Sequence, residues 1–279
     1  MQKIKIITDS TCDLNKEIID MYNIEVLPLL VKIDDITYRD GEDINLQEFL
    51  NKMKNSEGFP TTTQVIPHRF EECYKKYIDE GYKIVSIHMS SKMSGTYHSA
   101  CMAKDMLETE DIVVIDSLNV TSGLGILVLK ACKLKEEGYS IFEIEEKIKE
   151  TIPHVKCSLA FDSLDNLVKG GRLSKTAGAI GGLLGIKLII SIKDGELAVI
   201  DKVRGSKKAI KTILKQLDKT GIKSGETSIL LRASDKNILD ELRSHMNDRK
   251  IDFIECEVGC VVGTHSGEGA CGIFYVEYY

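Results

Sequence analysis

The sequence predicts an α/β protein of two domains, on three observations. In the first half of the chain, apolar runs of strand length alternate with helical stretches, which is typical of βα units around a parallel sheet. After Pro153 the pattern changes to short strands joined by hairpin-like turns. The length of 279 residues exceeds the usual size of one compact core. We therefore expect one domain over residues 1–153 and a second over residues 154–279.

The first domain is predicted to be an α/β/α layer structure around a mainly parallel sheet. Its strands are expected at 4–8, 25–33, 83–88 and 112–116, and its helices at 15–21, 45–55, 67–79, 97–107, 122–137 and 140–151. Pro67 suits the first position of its helix, because proline lacks the N–H that would be unpaired there. Ser140, with Glu143 three residues later, fits a capping box.

The second domain is predicted to be α/β with a mixed sheet. Asp194-Gly195 is a strong turn signal between strands at 188–192 and 197–202. Helices near 207–219 and 235–247 and strands at 252–258 and 271–277 complete it. The glycine-rich apolar segment 176–192 is too short to span a bilayer and is interrupted by Lys187, so tight packing is its favoured interpretation over an apolar cavity wall.

Composition and charge exclude several classes of function. Lys and Arg number 37 against 43 Asp and Glu, a net charge of -6, which argues against a nucleic-acid-binding surface. The first residues read as a strand and lack the pattern of a signal peptide, so we expect a cytoplasmic protein. The 8 cysteines are scattered without a Cys-x-x-Cys pair. We therefore expect neither a metal site nor a cofactor.

A hydroxyl-rich turn between a strand and a helix, within residues 84–100, is the first candidate site. A helix start leaves backbone N–H groups without partners and has positive dipole character, so it holds an anion without a formal charge. Ser91, Ser94, Gly95 and Thr96 are the candidate donors. A serine-rich N-cap is the alternative interpretation.

Three further segments are candidates for chemistry. The threonine run in 60–64 is more typical of an edge strand or cap than of a site. Segment 169–175 places Arg172 between two lysines after paired glycines, which suits a phosphate or partner contact or, equally, a solvated loop. Segment 263–269 reads as a glycine-rich loop with His265 in its middle, a possible anion donor or a plain turn residue.

Two loops follow strands of the predicted parallel sheet, one after Asp9 and one after Asp116 with Thr121-Ser122-Gly123 behind it, and together they would form a polar rim on one edge of the sheet. Open α/β sheets bind ligands at the carboxyl ends of their strands. We expect these two aspartates to fix their loops through backbone N–H bonds rather than to act as acid or base.

Taken together, the motifs resemble those of the DegV-type fatty-acid-binding proteins across nearly the whole chain. The matching pieces are Thr8-Asp9-Ser10, Thr62 with Gln64, Ser90-Ser91 to Ser94-Gly95-Thr96, Val114-Ile115-Asp116-Ser117, Gly170-Gly171-Arg172-Leu173-Ser174, Asp194-Gly195, Lys202-Val203-Arg204 and Gly263-Thr264-His265. Each piece is short, but their order and spacing are specific.

The resemblance implies two α/β domains that hold one long-chain fatty acid, with its tail in an apolar tunnel between or within them. It implies that the carboxylate is bound by Thr62, Ser94 and Gly95, and that Arg172, Arg204 and His265 lie near the head group or engage a partner. That partner is a separate fatty acid kinase, which phosphorylates the bound carboxylate and feeds phospholipid synthesis. The chain would then be a carrier and not an enzyme, in at most transient contact with a membrane surface.

The chain departs from the family pattern at a few positions, namely Val65-Ile66 after the threonine run, Leu188 and Glu268. These changes bear on tail selectivity and partner contacts more than on the class of ligand. Two other functions are weighed against the carrier. One is a serine hydrolase with Ser94 as nucleophile and His265 as base, although Ser94 lies in no Gly-x-Ser-x-Gly elbow. The other is an enzyme that binds a phosphorylated metabolite at the helix start.

Overall fold

The computed structural model describes residues 3–174, 185–232 and 236–279 and has an α/β fold. Its strands are β1 (Ile4–Asp9), β2 (Glu25–Leu27), β3 (Leu30–Ile33), β4 (Ile36–Arg39), β5 (Thr61–Thr63), β6 (Lys83–His88), β7 (Ile112–Asp116), β8 (Val155–Phe161), β9 (Ile186–Lys193), β10 (Glu196–Arg204), β11 (Ser228–Arg232), β12 (Phe253–Glu257) and β13 (Cys271–Val276). Its helices are α1 (Lys16–Tyr22), α2 (Leu46–Asn55), α3 (Pro67–Asp79), α4 (Thr96–Leu107), α5 (Ser122–Glu136), α6 (Ile141–Thr151), α7 (Asp165–Lys169), α8 (Ser206–Thr220), α9 (Lys236–Asp248) and α10 (Cys260–Ser266).

A four-stranded parallel sheet forms the centre of the first half, in the order β2-β1-β6-β7. All six residues of β1 are buried, Lys5, Thr8 and Asp9 among them, as expected of a strand inside a parallel sheet that is covered on both faces. The pair α3 and α4 and the pair α5 and α6 pack on this sheet and give the predicted layers. The carboxyl ends of β1, β6 and β7 lie side by side at one edge.

The prediction of one continuous strand over residues 25–33 is wrong. The segment is broken at Pro28 into β2, which joins the parallel sheet, and β3, which joins a small antiparallel sheet in the order β4-β3-β5. Proline has no N–H to give to a ladder. Leu29, next to it, instead donates its backbone N–H to Ser10 Oγ at 3.1 Å. The small sheet carries Thr62 on its edge strand β5, opposite Val31.

The second half is built on a six-stranded mixed sheet in the order β10-β9-β8-β13-β11-β12. The predicted hairpin is confirmed as β9 and β10, joined through Asp194 and Gly195, both of which have positive φ as the tight turn requires. The tip of this hairpin contacts the first half, because Ser90 Oγ donates to the Gly195 carbonyl at 2.7 Å. Strands β8 and β11 were not predicted.

Helix α5 lies between the two large sheets. It packs on β1 and β6 of the parallel sheet and on β8, β11 and β13 of the mixed sheet. Eleven of its fifteen residues are buried, which explains why it is apolar on all sides. One hydrophobic core therefore includes residues of both halves, from Ile4 to Val276, and a second, smaller core lies between the mixed sheet and helices α8 and α9. The main core contains residues from both sides of residue 153, so the domain boundary there stays a prediction.

Segment 263–269, predicted as a loop, is mostly helix. Helix α10 runs from Cys260 to Ser266 and places His265 in its last turn. Two carboxylates from the first half bind its amino end: Asp13 Oδ1 accepts the Gly259 N–H at 2.8 Å and Asp40 Oδ1 accepts the Cys260 N–H at 2.7 Å. The first part of segment 176–192 lies outside the described residues. No helix in the described ranges is long and apolar enough to cross a membrane.

Candidate ligand-binding cavity

Two aspartates organise the loops at the carboxyl edge of the parallel sheet, as predicted. Asp9 Oδ1 accepts the Thr11 backbone N–H at 3.1 Å, and Asp9 Oδ2 accepts the Met89 N–H at 3.0 Å. Asp116 Oδ1 accepts the N–H groups of Ser91 and Leu118, at 3.1 and 3.0 Å. These bonds hold the loops after β1, β6 and β7 in fixed conformations beside a cavity.

The cavity has a volume of about 170 Å³, and residues of both halves of the chain line it. Its wall is mainly apolar. The apolar lining residues are Leu29, Met89, Met93, Val120, Leu159, Phe161, Leu167, Leu197, Leu231, Val258, Val261, Val262 and Ala270. The polar ones are Thr11, Thr62, Gln64, Ser94, Thr121, Arg172, His265 and Ser266, with Gly95 among them. A cavity with a large apolar wall and a few polar groups is suited to an amphipathic small molecule.

His265 and Thr62 meet across the cavity wall, where His265 Nε2 lies 3.0 Å from Thr62 Oγ1. The other ring nitrogen, Nδ1, is buried without a hydrogen-bond partner among the described residues. It lies against Gly170, where a methyl group would come well within 3.0 Å of Nδ1. Burial first, and the nearby Arg172 charge second, lower the pKa of His265 to about 4. The imidazole is therefore neutral at physiological pH.

Arg172 is half-buried beside this pair. Its Nη1 donates to the Gly170 carbonyl at 2.7 Å and its Nε to the Met93 carbonyl at 3.2 Å. Burial lowers the pKa of the guanidinium, and no carboxylate in the part of the chain that the structure describes forms a salt bridge with it. Since buried charges are usually paired, a half-buried guanidinium without a counter-charge is suited to an anion in the cavity.

Ser94 and Gly95 form the turn before α4. Ser94 Oγ accepts the Thr96 backbone N–H at 3.3 Å and lies 2.9 Å from the Thr96 hydroxyl. The Gln64 side chain packs on the backbone of Gly95, and a methyl group at Gly95 would lie well within 3.0 Å of Gln64 Oε1 and would displace that side chain. Gln64 Nε2 in turn donates to Ser99 Oγ at 2.9 Å. The helix start and strand β5 are thus joined next to the cavity.

Not every predicted residue reaches the cavity. Of the four candidate donors at the helix start, Ser94 and Gly95 line it, whereas Ser91 and Thr96 do not. Arg204, at the end of β10, is exposed and does not line it either, so its role in partner contact stays a prediction. Gln64 and Thr121 also line the cavity; the sequence singled out Gln64 only as part of a motif and Thr121 only as part of the loop behind Asp116.

Ser94 and His265 do not bond to each other in the part of the chain that the structure describes. The ring of His265 bonds to Thr62 rather than to Ser94, so the contact between nucleophile and base that a serine hydrolase uses is missing. A second serine and histidine do meet an aspartate elsewhere: Ser86 Oγ lies 2.6 Å from His88 Nε2, and His88 Nδ1 lies 3.1 Å from Asp9 Oδ2. All three side chains are fully buried in the core, where no substrate reaches them.

The described ranges contain no cluster of three or more His, Cys, Asp or Glu side chains that could hold a metal ion. The polar side-chain groups of the residues that line the cavity are hydroxyls, the Gln64 amide, one neutral imidazole and one guanidinium. Such groups bind and orient an anion. The apolar wall behind them accommodates a hydrocarbon.

Comparison with known proteins gives matches along the whole chain. The family model described as "Uncharacterised protein, DegV family" matches residues 3–278. A DegV domain-containing protein of Clostridium acetobutylicum is 60% identical over 279 residues, which are 100% of both chains. A solved structure that describes fatty acid binding of a DegV family protein from Thermus thermophilus has a TM-score of 0.92 at 28% identity, covering 99% of this chain and 100% of that one.

A second solved structure is that of the Streptococcus pneumoniae Fatty Acid Kinase (Fak) B3 protein loaded with linoleic acid. Its TM-score is 0.86 at 25% identity, covering 99% of each chain. The architecture described above is therefore shared by these proteins over their full length.

Proposed function

The chain belongs to the DegV family, and on that basis and on the geometry of the cavity we propose that it binds one long-chain fatty acid and presents the carboxylate to a separate fatty acid kinase. The observation that carries the proposal is a single cavity with an apolar wall and a group of anion-binding side chains that includes an uncompensated guanidinium. Two relatives of the same fold bind fatty acids.

We assign the carboxylate to Thr62, Ser94 and Gly95. Thr62 and Ser94 are neutral donors, and Gly95 opens the helix start, where the dipole favours an anion. Arg172 and His265 lie close by and complete the head-group site. The His265 imidazole is neutral, and the Arg172 guanidinium already donates to two carbonyl groups. The groups around the carboxylate are therefore mainly neutral.

The tail supplies most of the binding free energy. Burying about fourteen methylenes is worth roughly 11 kcal/mol of gross transfer free energy, whereas a carboxylate at a helix start gains about 0.3 to 2 kcal/mol. Ordering the flexible chain reduces the gross figure considerably. The tail therefore determines affinity, and the head-group residues determine orientation.

The kinase step requires only that a carboxylate oxygen is presented in a fixed position. The kinase and its phosphoryl donor supply the phosphoryl group, and the carrier forms and breaks no bond. This part of the proposal is supported by the relation to the Fak B3 protein and by the missing contact between Ser94 and His265. The acyl phosphate would then enter phospholipid synthesis.

Ligand binding is tested on protein purified from cells and then delipidated. Native mass spectrometry should show a bound acyl chain before delipidation. Adding oleate to the delipidated protein should raise Tm by about 5 to 10 °C at a free concentration of about one hundred times Kd. If no acyl chain is bound before delipidation and oleate does not raise Tm, the proposal is overturned.

The carboxylate site is tested by Thr62→Val and Ser94→Ala. Each variant removes one donor to a charged group and should weaken oleate binding about tenfold. Thr63→Val is the matched control, because Thr63 is the exposed neighbour on the same strand and does not line the cavity. Equal affinities in all three variants would contradict the assignment of the head group.

The carrier role is tested by mixing oleate-loaded protein with a bacterial fatty acid kinase and ATP and trapping the acyl phosphate with hydroxylamine. We expect the trapped product only when carrier and kinase are both present. Product from kinase and free oleate alone, at the same rate, would contradict the carrier role and leave fatty-acid binding intact.

A further inference from the structure

Two buried carboxyl groups lie behind the cavity wall, and the head-group site described above does not use them. Asp13 and Asp40 are 7% and 2% exposed, and neither lines the cavity. Both belong to the first half of the chain, and both accept backbone N–H groups from the second half. Asp13 Oδ1 accepts that of Gly259 at 2.8 Å, and Asp40 Oδ1 accepts that of Cys260 at 2.7 Å. Their effect on a ligand therefore passes through the backbone that they hold.

The bonded N–H groups lie between residues of the cavity wall. Val258 and Val261, which flank the two bonded residues, both line the cavity. The segment continues as α10, whose last turn places His265 Nε2 at 3.0 Å from Thr62 Oγ1. Both ends of this short helix are thus bonded to the first half of the chain, the amino end to two carboxyl groups and the last turn to the Thr62 hydroxyl.

Asp40 is also bonded to two other parts of the wall. Its Oδ2 accepts the Ser10 hydroxyl at 2.8 Å, and Ser10 Oγ accepts the Leu29 N–H at 3.1 Å. The Asp40 N–H donates to the Leu29 carbonyl at 3.0 Å. Leu29 lines the cavity, as does Thr11, the residue after Ser10. One buried carboxyl group therefore connects three segments of the cavity wall.

Of the two carboxyl groups, Asp40 is better suited to carry a negative charge. Burial first, and the charge of Asp40 second, raise the pKa of Asp13 well above its usual range, so Asp13 holds a proton more readily. Burial also raises the pKa of Asp40, but bonds from Ser10, Cys260 and Val261 oppose that rise. Two of these three donors are N–H groups at the start of α10. Hydrogen bonds to a charged acceptor are stronger than those between neutral groups.

We propose that Asp40 is a positioning residue for the head-group site: its bonds to the start of α10 hold His265 at the distance from Thr62 that suits the carboxylate. The inference rests on the proposed function, because a fatty-acid carboxylate is the ligand whose binding Asp40 adjusts. A helix of seven residues is only about 10 Å long, so a displacement of its start reaches its last turn. A neutral residue of the same shape at position 40 would weaken the bonds to α10 without removing an acceptor.

The test is a double-mutant cycle of Asp40→Asn with Thr62→Val, measured as Kd for oleate on the delipidated proteins. If Asp40 acts through the contact between α10 and Thr62, it has little left to adjust once the Thr62 hydroxyl is removed, so the two effects are not additive in free energy. General damage to the fold would instead weaken binding independently of Thr62. Glu42→Gln is the matched control, because Glu42 is exposed on the same turn and pairs with Arg39.

We expect Asp40→Asn to weaken oleate binding about fivefold, Glu42→Gln to leave it unchanged, and the double variant to bind about as weakly as Thr62→Val alone. Fold-changes that multiply, or no effect of either single variant, would overturn the positioning role and leave fatty-acid binding standing. Failure of the wild type to bind oleate would overturn both. If Asp40→Asn does not fold, Ser10→Ala removes the hydroxyl bonded to Asp40 Oδ2 and replaces it in the cycle, with the same expected outcome.

A second measurement needs no ligand. In NMR spectra of the delipidated protein, the imidazole resonances of His265 are identified by their loss in His265→Gln. Asp40→Asn should shift them, whereas those of His154, whose ring stacks on Tyr279, should stay in place. Glu42→Gln should shift neither. Unchanged His265 resonances in a folded Asp40→Asn would overturn the positioning role, whatever the affinity for oleate.

Discussion

Acidification should destabilise the delipidated protein through His265. The ring is buried against Gly170 and next to the positive Arg172, which together lower its pKa from the ordinary 6.5 to about 4. Protonation would place a charge in the core and an N–H on Nδ1, where no described acceptor is available. The folded state therefore resists a proton that the unfolded chain accepts freely.

The size of the effect follows from the two pKa values. Below pH 6.5 the unfolded chain binds a proton at His265 and the folded protein does not until the pH reaches about 4. The unfolded state is stabilised across this window, so the free energy of unfolding falls as the pH falls, by roughly 3 kcal/mol in total. Above pH 6.5 the group has no effect.

Urea unfolding at about pH 7 and about pH 4.5 measures this loss, with His265→Gln as the comparison, because carboxylates titrate in the same range. Wild type should lose more stability than the variant, by about 2 to 3 kcal/mol. His68→Gln is the control, since the His68 side chain is 69% exposed. Equal losses in wild type and His265→Gln would refute the reasoning, because His265 would then titrate as a solvated histidine.

Three further predictions concern other parts of the fold. Gly170→Ala places a methyl group within 3.0 Å of His265 Nδ1, so we expect about tenfold weaker oleate binding with an unchanged circular dichroism spectrum, and no effect of Gly58→Ala, where no atom lies within 4 Å. Asp13 is buried and lies beside Asp40, and both raise its pKa well above its usual range. The stabilising contribution of the protonated Asp13 carboxyl is therefore lost as the pH rises through this raised pKa. Asp13→Asn should therefore have a higher Tm than wild type at about pH 8, and the difference should shrink toward acidic pH. Ser140→Ala removes the hydroxyl that accepts the Glu143 N–H in the capping box, while the bond from the residue 140 N–H to Glu143 stays, and the variant should cost about 1 kcal/mol in urea unfolding; an unchanged midpoint would contradict the role of the hydroxyl.

The sequence predicted the elements whose signals are local. Three elements, α3, β6 and β7, have the predicted bounds, because Pro67 marks the start of α3 and mainly apolar residues of strand length mark β6 and β7. The capping box at Ser140 is confirmed, with Glu143 bonded back to the Ser140 N–H at 2.8 Å. The family resemblance is confirmed as well.

Elements that depend on distant contacts were not predictable in this way. Helix α10 was taken for a loop because its amino end is bound by Asp13 and Asp40, more than two hundred residues earlier in the chain. Gly263, which suggested a turn, is instead a close contact with α2, since a methyl group there would lie 2.7 Å from Leu46 Cδ1. Because the contact with Leu46 is not visible in the neighbouring sequence, prediction from the sequence assigns this glycine to a turn.

For the candidate site, the sequence identified residue types better than their contacts. The structure brings Thr62, Ser94, Gly95, Arg172 and His265 to one cavity. The contact between Thr62 and His265 joins residues that are 203 positions apart, and no spacing rule predicts it. Thr121 was predicted only as part of the polar loop behind Asp116, because its positive φ exists only in the folded chain. The roles of all these residues stay predictions.

The position of α5 has a consequence for dividing the gene. The helix is encoded before residue 154, yet it covers one face of the mixed sheet that is encoded after it. A product that begins at residue 154 would leave that face exposed to water, and a product that ends at residue 153 would expose the opposite side of α5. We therefore expect the two halves, expressed separately, to aggregate, and to recover solubility only when they are produced together in the same cell.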